Sequence, residues 1–179
     1  MLRYVTSNPG KAREAAARLG EAVDVVDLEY LEPQADDVVT VAAHGAETAF
    51  AALDGDDPVL VDDAGLFIDP LGGFPGHYSA YVEETLGIER VADLARQESD
   101  PSAAFRAAIA YADGDRVETF TGAVTGQIVT PRGDGGFGYD PIFEHGHRTF
   151  AEMTVEEKNA CSHRGRALDR FTSWYHGSA

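Results

Sequence analysis

Lysine occurs only twice in this 179-residue chain, at Lys11 and Lys158, against twelve arginines. Lys11 closes the polar motif Thr6-Ser7-Asn8-Pro9-Gly10-Lys11, and Lys158 lies in Glu157-Lys158-Asn159-Ala160-Cys161-Ser162-His163-Arg164. Lysine is a compact point charge with three donors, whereas arginine is a planar fork. A chain that uses arginine elsewhere has kept these two lysines for a task suited to a point charge, and gripping a phosphate is such a task. A second loaded pair, Asp62-Asp63, follows the apolar run Pro58-Val59-Leu60-Val61. The carboxyl end of a buried strand is where ligands bind in open α/β sheets. Two carboxylates there suit Mg²⁺, and one of them can orient or deprotonate a water. Neighbouring strand residues point to opposite faces, so only one of the pair normally faces a site. A solvated strand end is the plainer alternative, but the apolar exit through Ala64-Gly65-Leu66-Phe67 favours a functional role.

Other motifs are less specific. Asn8-Pro9-Gly10-Lys11 joins a strand to a helix, and the free N–H groups of a first helical turn form an anion site. It is not the G-x-x-x-x-G-K-[ST] phosphate loop, and a simple turn with a solvated lysine accounts for it about equally well. Gly133-Asp134-Gly135-Gly136-Phe137-Gly138 formally matches the dinucleotide fingerprint, but Pro141 blocks the helix that fingerprint requires. The segment reads instead as a loop presenting Phe137, Tyr139 and Asp140. An aromatic ring there can stack on a base and a carboxylate can read its edge, although a packed surface loop is the plainer reading. Ser162-His163 is a weak nucleophile–base pair, because adjacent helical residues diverge by about 100°. His163 and Arg164 serve better as hydrogen-bond donors. His145-Gly146-His147 lacks partners at zinc spacing and reads as a loop, and Cys161 reads as packing.

The elements that position these residues follow from patterning. Strands are expected at Leu2 to Thr6 and Val23 to Val26, and helices at Lys11 to Leu19 and Val39 to Leu53. A buried strand runs from Pro58 and ends at Asp62-Asp63-Ala64-Gly65. After the glycine-rich loop Leu71 to Gly76 come a helix at Ile88 to Gln97 and strands at Phe105 to Tyr111, Val117 to Phe120 and Gly126 to Thr130. Thr154-x-x-Glu157 is a capping box that opens a helical C-terminus with an apolar stripe at Leu168, Phe171 and Tyr175. Alternating strands and helices followed by consecutive strands predict an α/β fold with a mixed sheet flanked by helices.

Length and the absence of linkers or repeats predict one domain over residues 1–179, with two lobes sharing a sheet. The formal charge of −17, from 31 acids and 14 bases, argues against nucleic-acid and anionic-membrane partners. No signal-peptide or membrane-spanning pattern appears, and a single cysteine fits a reduced compartment, so a cytoplasmic protein is expected. Abundant acid with almost no lysine points further to a salty cytosol, where the Debye length falls to about 3 Å at 1 M. An ordinary acidic cytosolic protein is the alternative.

Together these segments resemble the inosine triphosphate pyrophosphatase family. The resemblance rests on Thr6 to Lys11, Val61-Asp62-Asp63-Ala64-Gly65-Leu66, Gly73 to Ala80, Phe120-Thr121-Gly122, Gly136 to Phe143, and Phe150 to Met153 with Glu157 to Arg164, all in the family's order. With the acidic composition, it suggests a member from a halophilic archaeon. The resemblance implies an elongated mixed sheet with a central active-site cleft between two lobes, a homodimer, and Mg²⁺-dependent hydrolysis of ITP, dITP and XTP to the monophosphate and pyrophosphate. By position, Asp63 is the catalytic carboxylate. Glu32 and Asp63 hold metal, assisted by Asp62. Ser7, Asn8, Lys11 and Lys158 belong with the triphosphate, and Ser79 with the phosphate-side loop. Phe137 stacks on the purine, with Tyr139 beside it, and Asp140, His163 and Arg164 read the base edge. On this view Mg²⁺, two lysines and an arginine build a locally positive site within an acidic protein. A pyrophosphatase for modified pyrimidines and a nucleotide sensor without turnover are the competing functions.

Overall fold

The structure, a computed structural model, describes residues 1–19, 23–33, 35 and 37–177; Gln34 of the Glu29 to Gln34 segment lies outside them. The described strands form one mixed sheet. β1 (Arg3–Val5) lies between β2 (Asp24–Val26) and β3 (Val59–Ile68), parallel to both. The sheet continues antiparallel through β5 (Ser102–Ala112), β6 (Val117–Ile128), β7 (Phe143–His145) and β8 (Arg148–Thr149), and the short β4 (Pro75–Gly76) pairs with β3.

Helices cover both faces, as strand alternation requires. Val59 and Val61 point toward α2 (Val38–Ala52), in a cluster with Ala42, Ala46 and Ala49. Leu60 points the other way, toward α1 (Pro9–Leu19) and α6 (His163–Gly177), where it meets Ala15, Leu168 and Phe171. Farther along that face a separate cluster joins Leu66 and Ile68 to α3 (Ser79–Thr85), α4 (Ile88–Ala95), Tyr139 and Phe150. α5 (Val155–Cys161) starts at the expected capping box, in which Glu157 N–H donates to Thr154 Oγ1 and Thr154 N–H to Glu157 Oε2.

The expected end of the strand at Asp62 is corrected: β3 runs on to Ile68. β5 covers one edge of β3 over its whole length. On the other edge, β1 pairs as far as Val61 and β4 begins at Leu66. Residues 62–65 therefore pass through a gap in that edge. The expected strands at Val117 and Gly126 are likewise one element, because β5 pairs with every residue from Val117 to Gln127; tertiary pairing overrides the poor strand propensity of Gly122-Ala123. The His145 to His147 loop is the turn of the β7–β8 hairpin.

Gly122 sets how closely α6 approaches the sheet. A Cβ there would lie 2.1 Å from the His163 carbonyl oxygen and 2.8 Å from Ala167 N. Gly122→Ala is expected to cost about 1–3 kcal/mol by forcing α6 outward. Thermal melting checks this, and a wild-type melting point would remove Gly122 from the packing argument.

Candidate functional site

The gap in β3's edge opens into a cleft of about 930 Å³. A backbone carbonyl without a ladder partner needs a donor, and Lys11 supplies it: its Nζ donates to Asp62 O at 3.2 Å and sits 2.6 Å from Asp62 Oδ1. Asp62 shares Leu60's face of the sheet, where Arg164 Nε donates to its Oδ2. Arg164 Nη1 lies 2.5 Å from Glu14 Oε2, and Glu14 Oε1 lies 3.0 Å from Lys158 Nζ. Lys158 Nζ in turn lies 2.7 Å from Asp140 Oδ2. The result is one alternating chain: Lys11, Asp62, Arg164, Glu14, Lys158, Asp140. All but Lys11 are buried.

Several sequence expectations change as a consequence. Asp62 is held by two cations and is not a free metal ligand. Burial alone would raise its pKa, but Arg164 and Lys11 hold it well below the usual carboxylate range. The three cations do not make a positive site, because three acids neutralise them. Asn8 Oδ1 accepts from Gly10 N–H at 2.8 Å and Lys11 N–H at 3.2 Å, so the first-turn donors expected to bind an anion are already capped. Ser7 is exposed at the cleft rim. Ser79 lines the cleft, but its hydroxyl donates to Gly76 O at 2.6 Å and accepts from Leu66 N–H at 2.8 Å, tying β4 to β3. Tyr139 is a core residue, not a stacking platform, and its hydroxyl donates to Ser79 O at 2.8 Å. Asp140 Oδ2 accepts from Phe137 N–H at 2.8 Å as well as from Lys158, which organises the loop rather than leaving that oxygen to a base.

Phe137, His163, Asp63 and Glu32 remain open toward the cleft. Phe137 lines it, with Lys158 Nζ 4.1 Å from its ring centroid. His163 stacks on Phe105 at 4.7 Å, and its buried Nδ1 has no partner among the described residues. Burial, with the Arg164 and Lys158 charges nearby, lowers its pKa well below the ordinary value and keeps the ring neutral. Asp63 points to the face opposite Asp62, and its buried Oδ2 likewise has no partner among the described residues. Burial first, then the Asp62 and Glu32 charges, raise the Asp63 pKa to about 7 against the pull of Lys11. Exposed Glu32 lines the cleft on the Asp63 side, and both carboxylates help push the Tyr30 phenol up to about 12 after burial itself. Among the described residues no three His, Cys, Asp or Glu side chains converge on one point, so Glu32, Asp62 and Asp63 do not form a three-residue cluster.

Glu14 is the member that sequence reasoning missed. It lies three residues after Lys11 on α1 and so shares its face. That spacing was the available signal, but a helical glutamate ordinarily reads as solvated.

Asp63 also carries a pH signature. Its carboxyl titrates near 7 in the folded chain against an ordinary 3.8, so the folded state holds a proton that the unfolded state releases between those values. The protein should lose stability as pH rises through that window. In metal-free buffer, Asp63→Asn should melt close to wild type at pH 4 and progressively above it toward pH 8. Parallel melting curves at all pH values would remove the raised pKa.

Residues 2–174 match the model of the Ham1 family. The chain is 50% identical to a dITP/XTP pyrophosphatase of Thermococcus kodakarensis, over 97% of this chain and 96% of that one. It is 48% identical to one from Methanopyrus kandleri, over 96% and 94% of the two chains. Its fold superposes on the Ham1 protein of Staphylococcus aureus with a TM-score of 0.86 at 27% identity, covering both chains fully. The HAM1 protein of Coxiella burnetii gives a TM-score of 0.85 at 32% identity, over 99% of this chain and 100% of that one. With a family model matched over nearly its whole length, and the sheet and helices of these solved relatives, the chain belongs to the Ham1 family.

Proposed function

We propose that this chain hydrolyses non-standard purine nucleoside triphosphates (dITP, XTP and ITP) to the monophosphate and pyrophosphate. The observation that carries this is Asp63: a buried carboxylate with a free oxygen, titrating near 7, beside a cleft lined by Lys11, Phe137 and Lys158. A carboxylate of that pKa is suited to general-base work near neutral pH. Asp63 accepts a proton from water. The water oxygen forms a bond to the α-phosphorus as the α–β bridging bond breaks, and the electron pair leaves with pyrophosphate. Lys11 and Lys158, released in part from their acid partners, meet the phosphate oxygens.

Asp63 and Glu32 are hard oxygen donors, and the unpartnered Asp63 Oδ2 fits a small divalent cation such as Mg²⁺. When bound, that ion neutralises phosphate charge and stabilises the leaving group. Phe137 offers a ring to the purine. Neutral His163 and Arg164 supply donors to the 6-keto oxygen of hypoxanthine or xanthine. Adenine presents a donor there, leaving a site donor unpaired, and such mismatches are rejected strongly.

The whole chain is one domain of two lobes, a reading supported by the Leu66–Phe150 cluster lying apart from the clusters under α2 and under α1 and α6. Exposed Phe74, Tyr78 and Tyr81 support a homodimer. No helix among the described residues is long and apolar enough to cross a membrane, in keeping with a cytoplasmic nucleotide-pool enzyme.

Incubation with dITP, XTP or ITP and Mg²⁺ should release pyrophosphate, with ATP and modified pyrimidine triphosphates at least 100-fold poorer substrates. Asp63→Asn should lose at least 1000-fold in kcat while remaining folded. Orthophosphate as product, or a turning-over Asp63→Asn, would sink the assignment. The acid-rich, lysine-poor composition supports activity at high salt. Turnover should persist at molar KCl, and an optimum at low salt would refute that part alone.

A further inference from the structure

Glu14 joins two cations that stand on different elements. Its side chain is 8% exposed; Oε1 lies 3.0 Å from Lys158 Nζ on α5 and Oε2 lies 2.5 Å from Arg164 Nη1 on α6. Within the ion-pair chain these cations have other partners, Asp140 and Asp62, but neither acid touches both. A carboxylate that places one oxygen on each cation sets the separation between them, because both oxygens belong to a single planar group.

We propose that Glu14 is a positioning residue for the pyrophosphatase reaction. It holds Lys158 and Arg164, which line the cleft beside Phe137, in register for one nucleotide. This rests on the function proposed above. The charge balance around it gives the inference a distinct signature. The chain of three cations and three acids is formally neutral, and Glu14→Gln leaves it with one net positive charge. A polyanion should therefore bind Glu14→Gln no more weakly than wild type, yet turn over poorly because the cations are no longer aligned. Glu14→Asp keeps the charge and shortens the reach, so it should lose turnover without any gain in binding.

The test titrates each variant calorimetrically with a non-hydrolysable dITP analogue, in Mg²⁺, to count binding-competent sites. It then measures kcat per competent site with dITP. Circular dichroism and melting report folding. Both variants should bind close to one analogue per chain. Their kcat per site should fall at least tenfold, the range in which small misplacements act, and Glu14→Gln should bind the analogue as tightly as wild type or more so. A residue that merely supports the fold would instead reduce the number of competent sites and leave kcat per site intact. That result in either variant overturns the inference, and so does loss of folding in both. Wild-type protein that releases no pyrophosphate from dITP overturns the proposed function and takes this inference with it. Wild-type turnover alongside full turnover per site in the variants overturns the inference alone.

Discussion

The arrangement of the cleft depends on one alternating chain of ion pairs running from Lys11 through Asp62, Arg164, Glu14 and Lys158 to Asp140. Removing a charge from water is costly, and a lone buried ion is not tolerated without a partner. Here every internal member has an opposite charge on both sides. The six residues come from α1, β3, α5, α6 and the loop before β7, so the chain exists only when those elements are in place. Such pairs are weak evidence for stability, because well-packed apolar replacements are often no less stable. What the chain specifies is where two lysines and an arginine point.

The backbone beneath it explains why those charges lie at a cleft and not in a closed core. β3 exchanges one edge partner for another between Val61 and Leu66. Over that stretch the backbone must find other donors and acceptors. Lys11 takes the Asp62 carbonyl and Ser79 takes the Leu66 N–H. The two-residue period of the strand then divides the neighbouring carboxylates. Asp62 turns into the ion-pair chain, and Asp63 turns to the other face with a free oxygen. One carboxylate organises cations while its neighbour keeps a proton near neutral pH, and the difference comes from which side of the sheet each occupies.

This division also marks what was legible in the sequence. Residue type identified Lys11, Lys158 and the aspartate pair, and alternation stated in advance that only one aspartate would be open. The mixed sheet followed from the order of strands and helices. Features made by distant contacts were not legible. Nothing local says that β3 continues past Asp63, since that depends on β4 and β5 arriving on its two edges. Tyr139 and Ser79 stand in motifs that resemble binding loops, but the hydroxyl of one closes on the backbone of the other. Glu14 was hidden for the same reason, being 150 residues from Arg164 in sequence.

The electrostatic picture drawn from composition is inverted at short range. A net charge of −17, set against an anionic substrate, calls for a locally positive site. Instead the cations are already balanced, and Glu32 adds negative charge at the cleft while Asp63 holds a proton near neutral pH. A neutral chain exerts little pull on a polyanion at a distance, particularly where salt shortens the Debye length. In the proposed reaction its cations act at contact, once phosphate oxygens reach them. Meeting a cation of this kind costs less than ordering a bare lysine in water, because each lysine is already held in place by acids. The two lysines are thus aimed by acids before any ligand arrives.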